Sequence, residues 1–512
     1  MTKETISLHI FVFPFRWDVV KDEACLEKCI DSRLDVEKFI ECLNVEGKWE
    51  EDEGALKIVR DKKVENDKEY NKYAYFYDNA RKAIYGKDNF GRKISSSIVR
   101  CLNHKNIDGN SIYKIHVEKR NNKGNVIFNK IYELEIESIK LKIYDTGVAT
   151  LSYFLENNEY GNKEDILRIN DYGRRIYPQY MPLDNVKSSF LAKKLSVEIQ
   201  NRTIEEDFDY EVKEKPTKIS KTIMGILGEK FISVEKELKC KYRWLNKKES
   251  VVVKPIIDDR MFVICYYSDN TCSRVLTNFN KDEYLKNDFW HQFLFVDNGG
   301  VTCKEEKMTK ELLSKSTYTR WEDYGTLFGV SRYSFVLICN EGKPFKDILF
   351  NHTNTIYYEM ILLALVQRAS ILRFSDETSR IASFESKNIY EQIKKLQEYY
   401  IRFVNTIYFR EVTAQEQGIE LYDKLTEFMR IEREVKRLDE EIDEIQRYVT
   451  LEANDRTNKL IERLTYIGII ISVIGVVATA YELNFKVLYW MGGFTLVTIM
   501  CILIFKRMQN KR

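Results

Sequence analysis

Proline runs out early in this chain. All six prolines among the 512 residues lie at or before Pro344, so nothing in the last third obliges a helix to break. Cysteines are present without a pattern: ten are scattered, none forms a C-x-x-C pair, and the five histidines are equally dispersed. That dispersion argues against a disulfide framework or a zinc site. Charge of one sign is also lacking. Eighty-one Lys+Arg against 79 Asp+Glu leave a net +2, which argues against a nucleic-acid coat and against a polybasic membrane binder, so no direct nucleic-acid partner is expected. No P-loop, G-x-G-x-x-G fingerprint, HD-type metal cluster or nucleophile elbow occurs, and no enzyme is expected. The opening stretch MTKETISLHIFVFPFRWD has too short an apolar run for a secretory leader, so the first large unit is expected in the cytoplasm.

The end of the chain is where apolar residues concentrate. Leu464–Tyr481 and Val487–Phe505 are both uncharged, and each is long enough to cross about 30 Å of hydrocarbon as a helix. Arg456, Lys459 and Arg463 precede the first, Lys506, Arg507, Lys511 and Arg512 follow the second, and the connector holds only Lys486. This bias places both termini in the cytosol with a tight hairpin outside. Within the first segment Thr465, Gly468, Ser472, Gly475 and Thr479 recur at steps of 3 and 4, and Asn458 continues the face upstream. Such a stripe suits either close helix packing or the lining of a polar pore.

Between Ile356 and Arg463 the sequence reads as helix almost throughout. Thr413-Ala414-Gln415-Glu416 fits a capping box that starts a helix running to Tyr481. Leu421, Leu425, Phe428, Ile431, Val435, Leu438, Ile442, Ile445 and Val449 keep coiled-coil spacing amid dense charge, the pattern of a stalk. Upstream, Ser7–Phe13, Ile136–Tyr144, Val148–Phe154, Val251–Ile256, Met261–Tyr267 and Ser334–Cys339 read as strands, and Asp35–Leu43 and Val186–Gln200 as helices. Glu211–Lys221 reads as a charged loop between two halves. The expected fold is an α/β or α+β body over residues 1–350, a helical stalk over 351–463, two transmembrane helices over 464–481 and 487–505, and a basic tail over 506–512.

The segment Thr457–Phe485, with its Thr-Asn pair, its Leu-Thr at membrane entry and its closing Tyr-x-x-Asn-Phe, resembles the CorA family of divalent-cation channels. The resemblance implies a homopentamer in the bilayer of a bacterial inner membrane, with the first membrane helix lining the pore. It makes Asn484 the residue that meets a hydrated cation, magnesium or another divalent ion, at the outer mouth. It turns Asn458, Ile461, Leu464, Thr465, Ser472, Gly475 and Thr479 toward the axis. Glu482 and Leu483 replace the Gly and Met of the family's motif, so Glu482 adds a carboxylate ring there.

Two further clusters suit a small anionic ligand. Phe15, Arg16 and Trp17 combine stacking surfaces with a guanidinium, and Arg174 and Arg175 follow a glycine. A core strand for the first and surface ion pairs for the second are the competing readings. HIFVFPFRW, TGVATLSYFLEN, INDYGRRIYP, LVQRASILRFS and REVTAQEQGIELYDKL are similar to the large-bodied CorA-like effectors associated with type III CRISPR systems. That likeness implies antiviral signalling, opened by a nucleotide second messenger of the S-adenosylmethionine–AMP type. The rival expectations are a housekeeping divalent-cation transporter gated by the cation itself, and a non-conducting membrane-anchored coiled-coil scaffold.

Overall fold

The computed structural model describes residues 5–20, 33–52, 73–86, 98–121, 123–177, 191–208, 219–233, 249–277, 282–342, 345–382 and 389–482. Among them the chain is mixed α/β, with one sheet of fourteen strands and long C-terminal helices. It divides into two compact units, Met1–Ile442 and Asp443–Arg512. The first unit therefore includes residues 351–442, which the sequence pattern assigns to a stalk. The second apolar segment, 487–505, and Asn484 lie outside the described residues, as does the side chain of Glu482.

Six strands form the middle of the sheet: β1 (Ser7–Val20), β2 (Val126–Tyr144), β3 (Val148–Asn157), β4 (Ser250–Pro255), β5 (Phe262–Ser268) and β6 (Ser334–Cys339). All six overlap the apolar, β-branched runs expected to be strands, with β1 running on past Phe13 and β2 starting well before Ile136. β1 is central and pairs antiparallel with β3 along one edge. Along the other edge its first half pairs with β5 and its second half with β4. Pro14 falls where that edge changes partner, between Val12↔Phe262 and Phe15↔Pro255, so a residue without an N–H interrupts no ladder there. The strand therefore runs past its proline to Val20. β5 and β6 are parallel.

Helix α1 (Val36–Leu43) begins as its sequence suggests, with the Asp35 carboxylate accepting from the Lys38 N–H. The helix expected over Val186–Gln200 is corrected: its described part holds a strand, Lys194–Ile199. Leu195, Val197 and Ile199 are buried at every second position, a period of two that a neighbouring strand rewards more than helical spacing does. Of the expected loop Glu211–Lys221, only the end is described. There Ser220 caps a short helix, Lys221–Leu227.

Five further helices matter for the sites below: α2 (Lys163–Gly173), α3 (Tyr358–Ala382), α4 (Ile389–Thr406), α5 (Glu416–Met429) and α6 (Ile431–Glu482). α3 lies on β1 and β3 and is buried through most of its length. Tyr358 stacks edge-on against Phe154, with centroids 4.7 Å apart, and donates to Ser152 Oγ at 3.0 Å.

The capping box at Thr413 and the unbroken helix beyond it are both corrected. Thr413 Oγ1 donates to the Tyr75 carbonyl at 2.6 Å, and α5 starts at Glu416 without a side-chain cap. Arg430, at φ 56°, then breaks the chain between α5 and α6. Leu421, Leu425, Ile431, Val435, Leu438 and Ile442 of the expected coiled-coil seam are buried inside the first unit of a single chain, where they pack against their own body.

Candidate functional site

Among the described residues two helices are long and apolar enough to cross a membrane, and they differ in burial. The stretch 346–382, which contains α3, has a mean hydropathy of 1.3 with 83 % of its apolar window buried in the protein. The stretch 431–479 of α6 reaches 2.0 with none of its window buried. Leu464, Ile467, Ile470, Ile471, Ile474 and Val477 are all exposed. A surface of this kind is stable only against lipid or against other apolar helices.

The polar residues of that segment follow a strict rule. Asn458, Thr465, Ser472 and Thr479 recur every seven residues, and so do Ile461, Gly468 and Gly475. A seven-residue repeat favours left-handed packing against neighbouring helices. The hydroxyls of Thr465, Ser472 and Thr479 donate to the carbonyls of Ile461, Gly468 and Gly475 at 2.8, 2.8 and 2.6 Å. Each hydroxyl proton is thus satisfied inside the helix, and each oxygen keeps lone pairs for an outside donor. A Cβ added at Gly468 or Gly475 would meet nothing within 4 Å in this chain. The smallness of the face is therefore not required by its own fold. Ile461 and Leu464, expected to face the axis, are 56 % and 63 % exposed.

The residues expected to hold an anionic ligand sit deeper. Phe15 and Trp17 are fully buried, Phe15 stacked on Phe13 with centroids 5.1 Å apart and Trp17 edge-on to Phe39 at 5.1 Å. Arg16 donates to Asp376 and lies 3.9 Å from Asp18. Arg174 closes α2, donates to the Val296 carbonyl at 2.8 Å, and is lowered to a pKa of about 10 by burial. Arg175 bonds Asp171 at 3.1 Å. Among the described residues no hydrogen bond or ion pair joins the Arg16 group to the Arg174–Arg175 group. Each of these guanidiniums already holds an internal acceptor, while the Nε of all three is buried without one.

Arg16 belongs instead to a charge network that sequence reasoning did not assemble. Arg373 of α3 is wholly buried and donates to the Trp17 and Gly147 carbonyls at 3.0 and 3.1 Å and to Asp18 at 2.7 Å. Arg33 donates to Glu377 at 2.9 Å and lies 3.7 Å from Asp18. Burial alone would raise the pKa of Asp18, but Arg373 and Arg33 reverse this and hold it below the usual carboxylate value. Gly147, at φ 79°, must be glycine, because a Cβ there would lie 2.6 Å from the Arg373 guanidinium. Arg16, Arg33 and Arg373 balance Asp18, Asp376 and Glu377, and the network fastens α3 to β1.

A second buried group has the outline of a catalytic relay. Asn157 Nδ2 donates to Ser7 Oγ at 2.7 Å, Ser7 Oγ lies 2.8 Å from His9 Nε2, and His9 Nδ1 lies 2.7 Å from Asn170 Oδ1. Burial lowers the His9 pKa to about 4, against the opposing bond from Asn170. One neutral tautomer, accepting from Ser7 and donating to Asn170, satisfies the chain of donors. The Ser-x-His alternation puts both side chains on one face of β1 and was legible in sequence; Asn170 was not. All four residues are at most 1 % exposed, so no substrate reaches Ser7, and the group serves the core.

Compared with family models and with curated proteins, the chain matches none.

Proposed function

We propose that this chain is a CorA-like membrane channel, a homopentamer in which α6 of each copy lines a central pore and the cytosolic α/β body senses a ligand. By the same reading the ligand is a nucleotide second messenger of the S-adenosylmethionine–AMP type, acting in type III CRISPR antiviral defence at the bacterial inner membrane. The observation that carries the proposal is the exposed, uncharged segment of α6 with its seven-residue repeat of hydroxyls and glycines. The apolar flanks suit lipid. The small face lets neighbouring copies approach, and its outward oxygens accept hydrogen bonds from the water shell of a cation, whose protons point outward. The rings of Ile461 and Leu464 form the hydrophobic constriction, and Asn484 with Glu482 stands at the mouth. A ligand opens such a pore only by binding the open arrangement more tightly, at about 1.4 kcal/mol per tenfold change in population.

Flux of magnesium and of a monovalent ion through the purified full chain in liposomes tests the reading. Thr465→Val and Ser472→Ala remove the acceptors without enlarging the side chains of the lining, and flux is expected to fall about tenfold with the oligomer intact. Flux that ignores both substitutions places the pore elsewhere. A membrane-bound oligomer that conducts nothing under any ligand is the scaffold, and opening by magnesium removal alone is the cation-gated transporter.

A further inference from the structure

An open cavity of about 890 Å³ lies where α5 gives way to α6, within the first compact unit. That size accommodates a nucleotide. Its charges do not cancel once existing partners are counted. Of the four carboxylates in its wall, Glu420 is taken by Arg320 and the Tyr318 hydroxyl, Glu427 by Lys315 at 2.8 Å, and Glu432 by Lys436 at 2.8 Å. The fourth, Asp423, whose pKa burial and the nearby Glu411 raise, has no ion pair among the described residues and stands as one negative charge against the cations that remain. Of the cations, Lys315 is paired and Lys424 donates to the Lys315 carbonyl at 2.6 Å. Arg410, Arg430 and Arg433 remain, with no ion pair among the described residues, Arg410 standing near enough to Glu432 to help lower its pKa. The same concentration of positive charge is felt nearby, where Arg430 and Arg332 add to burial in lowering the pKa of Arg368. Tyr408 and Phe409 supply aromatic wall beside these guanidiniums.

We infer that this cavity binds a nucleotide, its phosphates held by Arg410, Arg430 and Arg433 and its base against Tyr408 and Phe409. Guanidiniums without carboxylate partners are the groups that a phosphate recruits bidentately, and an aromatic wall holds a planar base. The inference rests on the channel reading only for its consequence and gives that reading's ligand a site distinct from Arg16, Arg174 and Arg175. Arg410 follows α4, Arg430 is the turn, and Arg433 lies in the first turns of α6. A phosphate shared among them therefore ties the start of the membrane-directed helix to the body.

The test titrates the purified full chain in detergent with ATP, using tripolyphosphate and adenosine as competitors. ATP is expected to bind, tripolyphosphate to displace it, and adenosine to compete only weakly. Arg410→Gln and Arg433→Gln are each expected to weaken binding about tenfold, the loss of one charge-assisted contact. Arg430→Gly is expected to do the same while keeping or raising the thermal midpoint, because glycine accepts the backbone angle that Arg430 holds at φ 56°. That variant separates lost recognition from lost folding. Absence of ATP and tripolyphosphate binding at millimolar concentration overturns the inference. So does binding untouched by the three substitutions, or a fall in oligomer mass on Arg430→Gly, which would make this face a contact between copies. ATP that binds here without altering ion flux leaves the site standing and separates it from the gating of the pore, which the flux measurements above test by themselves.

Discussion

α3 and the outer part of α6 are both apolar helices, yet one is swallowed by the protein and the other is left bare. Their polar residues explain the difference better than their hydropathy does. α3 carries Glu359, Gln367, Ser370, Arg373 and Glu377, every one buried and every one partnered from another element. Glu359 meets Lys142, Gln367 donates to the Ile407 carbonyl at 2.8 Å, and Ser370 lies 2.9 Å from the Thr146 hydroxyl. These groups would be left desolvated and unpaired in lipid, so α3 is committed to the sheet. In α6 the hydroxyls of Thr465, Ser472 and Thr479 bond to their own helix, so none of these three needs another element for its proton. An apolar helix is thus assigned to a core or a membrane by where its polar groups find partners.

Breaking the α3 side of this contrast should have the largest effect. Arg373→Met leaves Asp18 and Glu377 buried with Arg33 as their one remaining shared cation and strips donors from two carbonyls. The expected loss is about 3–5 kcal/mol of stability, read by denaturant unfolding of the body in detergent. An unchanged midpoint would mean that α3 is held by packing alone.

The matching break in α6 is Ile470→Asp, which places a carboxylate on a residue 58 % exposed in the chain. It should cost about 3 kcal/mol of membrane insertion and move protein from the membrane fraction to the soluble one. The body's unfolding midpoint should not move. A drop in that midpoint would show that the segment is covered by its own protein.

A third test uses pH. His9 takes a proton in the fold only near pH 4, whereas the unfolded chain takes one near 6.5. The unfolded state holds more protons between those values, so this contribution is complete above 6.5 and is lost as pH falls toward 4. Its size is at most about 3 kcal/mol. His9→Gln should flatten the pH dependence of unfolding in that window, while carbonate extraction of the membrane segment stays the same. A variant with the same slope as the parent protein would remove His9 from the acid response.

The smallest expected effect is at the α5–α6 turn. Arg430→Gly should stabilise the body by about 1 kcal/mol, because an arginine there holds a left-handed angle that glycine adopts freely. A loss instead would show that the Arg430 side chain contributes more to the fold than its backbone costs.

The strands were legible because alternation and β-branching are local. That holds even for β1, though its length beyond Pro14 depended on β4 arriving to replace β5. Lys194–Ile199 reads as helix in isolation because its short apolar pattern fits both periods until a partner strand chooses one. The break at Arg430 carries no glycine, proline or asparagine to announce it. Thr413 had the right spacing for a cap, but Tyr75, far away in the chain, offered its hydroxyl a carbonyl.

The candidate site divides the same way. The uncharged run from Leu464, and the Asn458–Thr465–Ser472–Thr479 face within reach of it, were determined by sequence alone, since length, charge and helical spacing are properties of one continuous segment. Whether Arg16, Arg174 and Arg175 were free to meet a ligand was decided only by tertiary structure. Asp376 and the Val296 carbonyl come from distant parts of the chain, as does the gathering of Arg410 with Arg430 and Arg433 around one cavity. Coulomb and hydrogen-bond partners are chosen by proximity in space, and a single sequence records that only where the partners are also neighbours along the chain.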